Sequence, residues 1–282
     1  MIFVSSACVR GRSLEEVVGK LAGVGFKYVE LSGGIKYRAD IKQRVMYLKK
    51  KWGLTFLLHN YFPPPKEDFV LNLASEDNWI FLQSIKLIKN AINLSKTIGS
   101  SKYGFHSGFY MDIAVSQVGH VLAKSKITNK RQAMGRFCKA FKEIQSKEKK
   151  FGLYLENNVV SSSNFEAYGK KNPFMMTTFN EYKQLKEKIN FKLLLDVGHL
   201  KVSCHTLGIN FEKELAAFLA VSDYVHISDN DGKKDSNRPL KAHSRLFGQL
   251  KTIGLKGKTI SVEVYDSLNA VIKTHDLLER LT

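Results

Sequence analysis

Histidines and carboxylates recur at the ends of short apolar runs along this chain. His59-Asn60 closes one such run, His106 another and Glu156-Asn157-Asn158 a third. Asp196-Val197-Gly198-His199 closes a fourth, His226 leads into Ser228-Asp229 in a fifth, and Glu263 sits in a sixth. These side chains are common ligands of divalent metals and common proton donors and acceptors in catalysis. Each one alone has an ordinary explanation. A lone histidine at a strand end is usually a hydrogen-bonded rim residue. An aspartate there usually caps the next helix, as Asp196, Asp229 or Asp266 would. Taken together they resist that explanation, because gathering so many ionisable groups in one buried place without a cation is costly. The pattern predicts a metal centre.

Such a centre needs a scaffold that brings distant segments to one rim. Runs rich in β-formers fall at 2–7, 28–32, 54–60, 102–106, 152–157, 192–197, 224–228 and 259–264. Most are continuously apolar, as expected of parallel strands buried on both faces. Helical stretches follow at 13–23, 40–52, 75–98, 129–150, 178–188, 210–220, 242–253 and 266–281. The first opens on a capping box, Ser13-x-x-Glu16, and the second stops at Gly53. The last spaces Leu268, Val271, Ile272, Leu277 and Leu278 along one stripe.

Eightfold strand–helix alternation predicts a (β/α)8 TIM barrel formed by a single domain over 1–282. An open doubly wound sheet would carry a glycine-rich loop after its first strand, where this chain has Ser5-Ser6-Ala7-Cys8. In a barrel the strand ends meet on the C-terminal rim, with neighbouring strands about 4.8 Å apart. Carboxylates from strands five, six and eight (Glu156, Asp196, Glu263) and the imidazole of His226 on strand seven can then surround one ion. Two long loops, 61–74 with its Pro63-Pro64-Pro65 and 108–128, fall on the same face as lids or walls.

Composition narrows the classes further. The chain has 282 residues, 44% of them hydrophobic, enough for one large core. Lys and Arg number 44 against 26 Asp and Glu, a net charge of +18. That excess fits either a polyanionic partner or a lysine-rich solvated surface. The scatter of Lys49, Lys50, Lys51, Lys147, Lys149, Lys150, Lys186 and Lys188 over helix ends favours the surface. Cys8, Cys138 and Cys204 are odd in number and far apart, which points to reduced thiols in a cytoplasmic protein. No run reaches the ~20 apolar residues of a membrane span. Residues 1–8 are too short for a signal peptide and read as a first strand.

Four segments carry a family resemblance. Leu153-Tyr154-Leu155-Glu156-Asn157, Leu195-Asp196-Val197-Gly198-His199, Val225-His226-Ile227-Ser228-Asp229 and Val262-Glu263-Val264 resemble, in order and spacing, the xylose isomerase-like TIM barrels. That group includes sugar isomerases, ketose 3-epimerases and zinc-dependent abasic-site endonucleases. The resemblance implies that Glu156, Asp196, His226 and Glu263 are metal ligands. It implies that His199 faces substrate in the sugar enzymes or binds a further zinc in the endonucleases. His59 and His106 match positions that complete another zinc in the endonucleases and line the pocket in some sugar enzymes. With Asp229 these three histidines make the expected substrate-binding set. One departure stands out. Where family members often carry Asp-x-His, this chain has Asp235-Ser236-Asn237, so a third zinc would lose an imidazole. His243 does not have the spacing to replace it.

Three carboxylates and one imidazole suit Mn2+ or Mg2+, with Zn2+ or Co2+ also accommodated. Such an ion can hold the carbonyl and hydroxyl of a ketose and stabilise an enediolate. The resemblance to ketose epimerases makes Glu156 and Glu263 the catalytic proton-transfer pair as well as ligands. The expected protein is therefore a metal-dependent sugar or sugar-phosphate isomerase or epimerase of carbohydrate metabolism. Its partner would be a small carbohydrate, and relatives of this kind are often homo-oligomers. The alternatives are an abasic-site endonuclease-like phosphodiesterase acting on nucleic acid, a sugar or polyol dehydratase, and a barrel that binds sugar without turning it over.

Overall fold

The computed structural model describes residues 1–122 and 126–282. Positions 123–125 of the expected loop 108–128 lie outside the described residues. In chain order the elements are β1 Ile2–Ser5, α1 Leu14–Gly23, β2 Tyr28–Leu31, α2 Ile41–Trp52, β3 Thr55–His59, α3 Asn78–Thr97, β4 Lys102–His106 and α4 Lys130–Ser146. They continue with β5 Gly152–Glu156, α5 Ser162–Ala167, α6 Phe179–Lys186, β6 Lys192–Asp196, α7 Val197–Leu207, α8 Phe211–Val221, β7 Tyr224–Ile227, α9 Arg245–Ile253, β8 Thr259–Val262 and α10 Leu268–Glu279. The strands pair in parallel in sequence order and β1 pairs with β8, closing a TIM barrel. Among the described residues, no helix is long and apolar enough to cross a membrane.

Strand parity separates two cores. Outward residues such as Val4, Val29, Leu58, Phe105, Leu155, Val225 and Val262 join the helices in one large apolar layer. Inward residues Phe3, Leu57, Tyr154, Leu194 and Tyr224 form a separate cluster inside the barrel. Below them Lys102 Nζ lies 5.4 Å from the ring centres of both Tyr154 and Tyr224 and donates to Thr259 Oγ1 at 2.9 Å. The barrel is thus filled at its N-terminal end. Two residues further along each strand, the same inward parity delivers His59, Glu156, Asp196 and His226.

Several local expectations need correction. Ser13 caps α1 through Glu16 N–H, but Glu16 reaches back to Arg12 N–H, one residue beyond the reciprocal bond of a capping box. The cap of α10 is Ser267, which accepts from Ala270 N–H, and not Asp266, whose carboxylate accepts from Ser267 N–H. Helix α7 begins where the apolar run of strand six continues. It is buried on most sides, from Val197 through Cys204, so it shows no amphipathic stripe in the sequence. Helix α5 likewise falls outside the expected helical stretches.

Candidate metal centre

One ligand atom from each of Glu156, Asp196, His226 and Glu263 lies within 4.8 Å of the others. All four residues are buried. His226 Nδ1 is 3.2 Å from Glu156 Oε1 and 3.5 Å from Glu263 Oε2. These approaches lack hydrogen-bond alignment, and His226 Nδ1, Glu156 Oε1 and Asp196 Oδ2 have no hydrogen-bond partner. Buried polar atoms are almost always satisfied. Three unsatisfied atoms converging with a further carboxylate are what a coordinated cation would resolve, so the residues fit a divalent ion.

Local structure explains how each side chain is aimed. Asp196 ends β6 and caps α7, its Oδ1 accepting from His199 N–H at 2.6 Å, which leaves Oδ2 turned to the centre. Asn157 fixes the same corner: its Oδ1 accepts from Asp196 N–H at 2.7 Å and its Nδ2 donates to Asp196 O at 3.0 Å. Gly198 is required here, because a Cβ would come within 2.7 Å of Ser228 Oγ and 3.3 Å of Asp196 Oδ1. His226 Nε2 lies 3.1 and 3.2 Å from the two oxygens of Glu30, a fully buried carboxylate on β2.

The remaining histidines surround Glu156 and Asp196. Glu156 Oε2 is 2.9 Å from His59 Nε2 and 3.1 Å from His106 Nδ1. His106 stacks on His199 with ring centres 5.5 Å apart. His199 Nδ1 lies 3.0 Å from Asn157 O, and its Nε2 lies 3.3 Å from Asp235 Oδ2. Asp229 is not brought into this group. Its carboxylate accepts from Lys201 Nζ at 2.5 Å and from Asn230 N–H, and its backbone bridges to Arg238.

Burial and charge act against each other throughout. Burial drives Asp196 up to about 7, against the pull of His199 and with the help of Glu156 and Asp235. Burial would raise Glu156 too, but the imidazoles of His106 and His59 overcome it and hold the carboxyl well below its ordinary value. His226 likewise outweighs burial at Glu263, which falls to about 2. Burial lowers His106 to about 4. At His226 burial is overcome by Glu30 and Glu263, and the imidazole is held well above its usual range.

Two members of the cluster were not among the expected site residues, Glu30 and Asp235. Glu30 is the charged residue in the run 28–32, and its place inside an otherwise apolar strand is the signal that could have flagged it. Asp235 enters the sequence pattern only as part of a departure.

The sequence pattern of xylose isomerase-like TIM barrels matches residues 18–281. The chain belongs to this family. Comparison with curated protein sequences gives no match. Among solved structures, a D-tagatose 3-epimerase-like protein superposes with a TM-score of 0.72 at 18% identity, covering 99% of this chain and 96% of its own. A 3-keto-D-glucoside 4-epimerase from E. coli gives 0.66 at 14% identity, with 99% and 98% covered. Endonuclease IV from Thermus thermophilus gives 0.60 at 12% identity, with 99% of both chains covered. This xylose isomerase-like barrel therefore shares its fold with sugar epimerases and with a nuclease, and what it does must be argued from its own site.

Proposed function

We propose that this protein is a metal-dependent sugar or sugar-phosphate isomerase or epimerase, with Glu156 and Glu263 as its proton-transfer pair. The observation that carries the reading is the approach of these two buried carboxylates to His226 Nδ1, at 3.2 and 3.5 Å, above the filled floor of the barrel. A divalent ion held by Glu156, Asp196, His226 and Glu263 would supply Lewis acidity to a substrate carbonyl. The other tasks belong to the chain. Glu263, held as a ligand of that ion, would be ionised, as a base that removes a carbon-bound proton must be. Glu156 stands on β5 with His59 and His106 on its second oxygen, so a proton taken up there is readily given back to the substrate. His199, locked by Asn157 and Asp235, orients a substrate hydroxyl. The free, buried Cys8, Cys138 and Cys204 are in keeping with a cytoplasmic location.

The test is solvent exchange. Incubated in deuterated water with Mn2+ and a panel of ketoses such as D-tagatose, D-psicose and L-ribulose, the protein should place deuterium on the carbon beside the carbonyl. Glu263→Gln should lower that rate by about 10²- to 10⁴-fold. Full exchange activity in this variant would remove Glu263 from the mechanism. A second reading, phosphodiester cleavage at abasic DNA, is favoured by one observation. His59 and His106 both converge on Glu156 Oε2 and so offer a place for a second cation. Against it, Asn237 stands where the endonuclease-type motif has a histidine.

A further inference from the structure

Glu30 is the most deeply buried carboxylate of the cluster, reaching the centre from β2, on the far side of β8 and β1 from His226. Both of its oxygens are engaged. Oε1 accepts from Ser261 Oγ at 3.1 Å and lies 3.1 Å from His226 Nε2, while Oε2 lies 3.2 Å from the same nitrogen. Neither is among the unpartnered buried atoms, whereas Glu156 Oε1 and Asp196 Oδ2 are. A direct ligand role, which the proximity of Glu30, His59, His226 and Glu263 would otherwise allow, therefore fits Glu30 poorly.

A histidine ring has two nitrogens, and the partner of one decides what the other does. Nε2 of His226 faces a carboxylate, an acceptor, so Nε2 carries the proton. Nδ1, facing Glu156 Oε1 and Glu263 Oε2, is then the nitrogen that gives up its proton to an incoming cation and offers it a lone pair. The ring is also held edge-on by His59, with centres 4.6 Å apart, so it cannot flip without displacing a neighbour. We propose that Glu30, braced by Ser261, is the positioning residue of the metal centre: it fixes the Nε2–H tautomer of His226 and so makes Nδ1 the ligand atom. Carboxylates behind ligating histidines set ring orientation and basicity in this way. The inference rests on the four-ligand centre used by the proposed function, but not on the identity of the substrate.

Two measurements on the whole chain test it, with zinc alone as the probe. Long-range ¹⁵N–¹H NMR of the zinc-loaded protein should show a proton on His226 Nε2 and none on Nδ1. Chelator competition should show Glu30→Gln binding zinc about 10- to 100-fold more weakly than the parent, with Glu76→Gln, on the surface, unchanged. A bare or metal-bound Nε2 in the parent overturns the proposal without any variant, so it stays testable should Glu30→Gln fail to fold. Parent-like zinc affinity in Glu30→Gln also overturns it, while leaving the metal centre standing. A parent chain that binds no zinc, manganese or cobalt would sink the centre itself, and the positioning role with it.

Discussion

Asp196 is asked to do two things that conflict. As a ligand of the proposed centre it would have to be ionised, yet burial beside Glu156, Asp235 and Glu263 drives its carboxyl up to about 7. Metal and proton therefore compete for Oδ2. Because the folded value lies above the ordinary one, proton competition at Oδ2 sets in as pH falls through about 7 and fades above it. Metal affinity should fall more steeply with pH below about 7, where Asp196 takes up its proton, than above it, where the His226 proton alone still competes, read by chelator competition across that range. A slope unchanged down to about pH 5.5 would mean that Asp196 is not a ligand. At this scale the gathering of Glu156, Asp196, His226 and Glu263 was legible, because each sits at an inward position near a strand end. Glu30 was not, since one acidic residue inside a short strand says nothing of a histidine that reaches it from five strands later in the chain. Asp229, expected in the substrate-binding set, has its carboxylate occupied by Lys201, and only the folded α7 brings that lysine there.

At the scale of elements, the β6–α7 junction couples stability to chemistry. Oδ1 of Asp196 caps the helix and Oδ2 faces the centre, so substitutions can separate the two roles. Asparagine caps as well as aspartate. Asp196→Asn should therefore keep the parent's thermal stability to within about 1 kcal/mol while losing the bound metal. Asp196→Ala should lose the metal and also about 1 kcal/mol for the missing cap. Thermal unfolding of the metal-free proteins, beside metal analysis, checks both. The eight strands and their alternation with helices could be read from apolar runs and glycine stops. Helix α7 could not, because Val197, Leu200, Val202 and Cys204 bury it all round and Gly198 lowers its propensity. Its first turn also reads as a continuation of the strand before it.

Over the whole molecule, charge is sorted by place. Glu30, Glu156, Asp196, Asp235 and Glu263 gather in the barrel mouth, so 26 − 5 leaves 21 acidic residues to offset 44 basic ones elsewhere. An excess of positive charge attracts polyanions in general, without reading their sequence. Under the sugar-enzyme reading, abasic and intact duplex DNA should bind equally, both weakening steeply with salt, and neither should be cut. Preferential binding and nicking of abasic duplex in a gel assay would transfer the argument to the endonuclease reading.

The filled floor of the barrel has a bearing on traffic. With Phe3, Leu57, Tyr154, Leu194 and Tyr224 packed beneath the centre and Lys102 under them, the barrel is plugged on its N-terminal side. Under the proposed function, ion and substrate would then share the C-terminal mouth, and the one that enters last would leave first. A saturating ligand should then act as a stopper, slowing the rate at which a chelator strips the protein without necessarily tightening its equilibrium hold on the ion. Stopped-flow loss of bound Co2+, with and without a ketose that supports exchange, would show whether departure is ordered in this way.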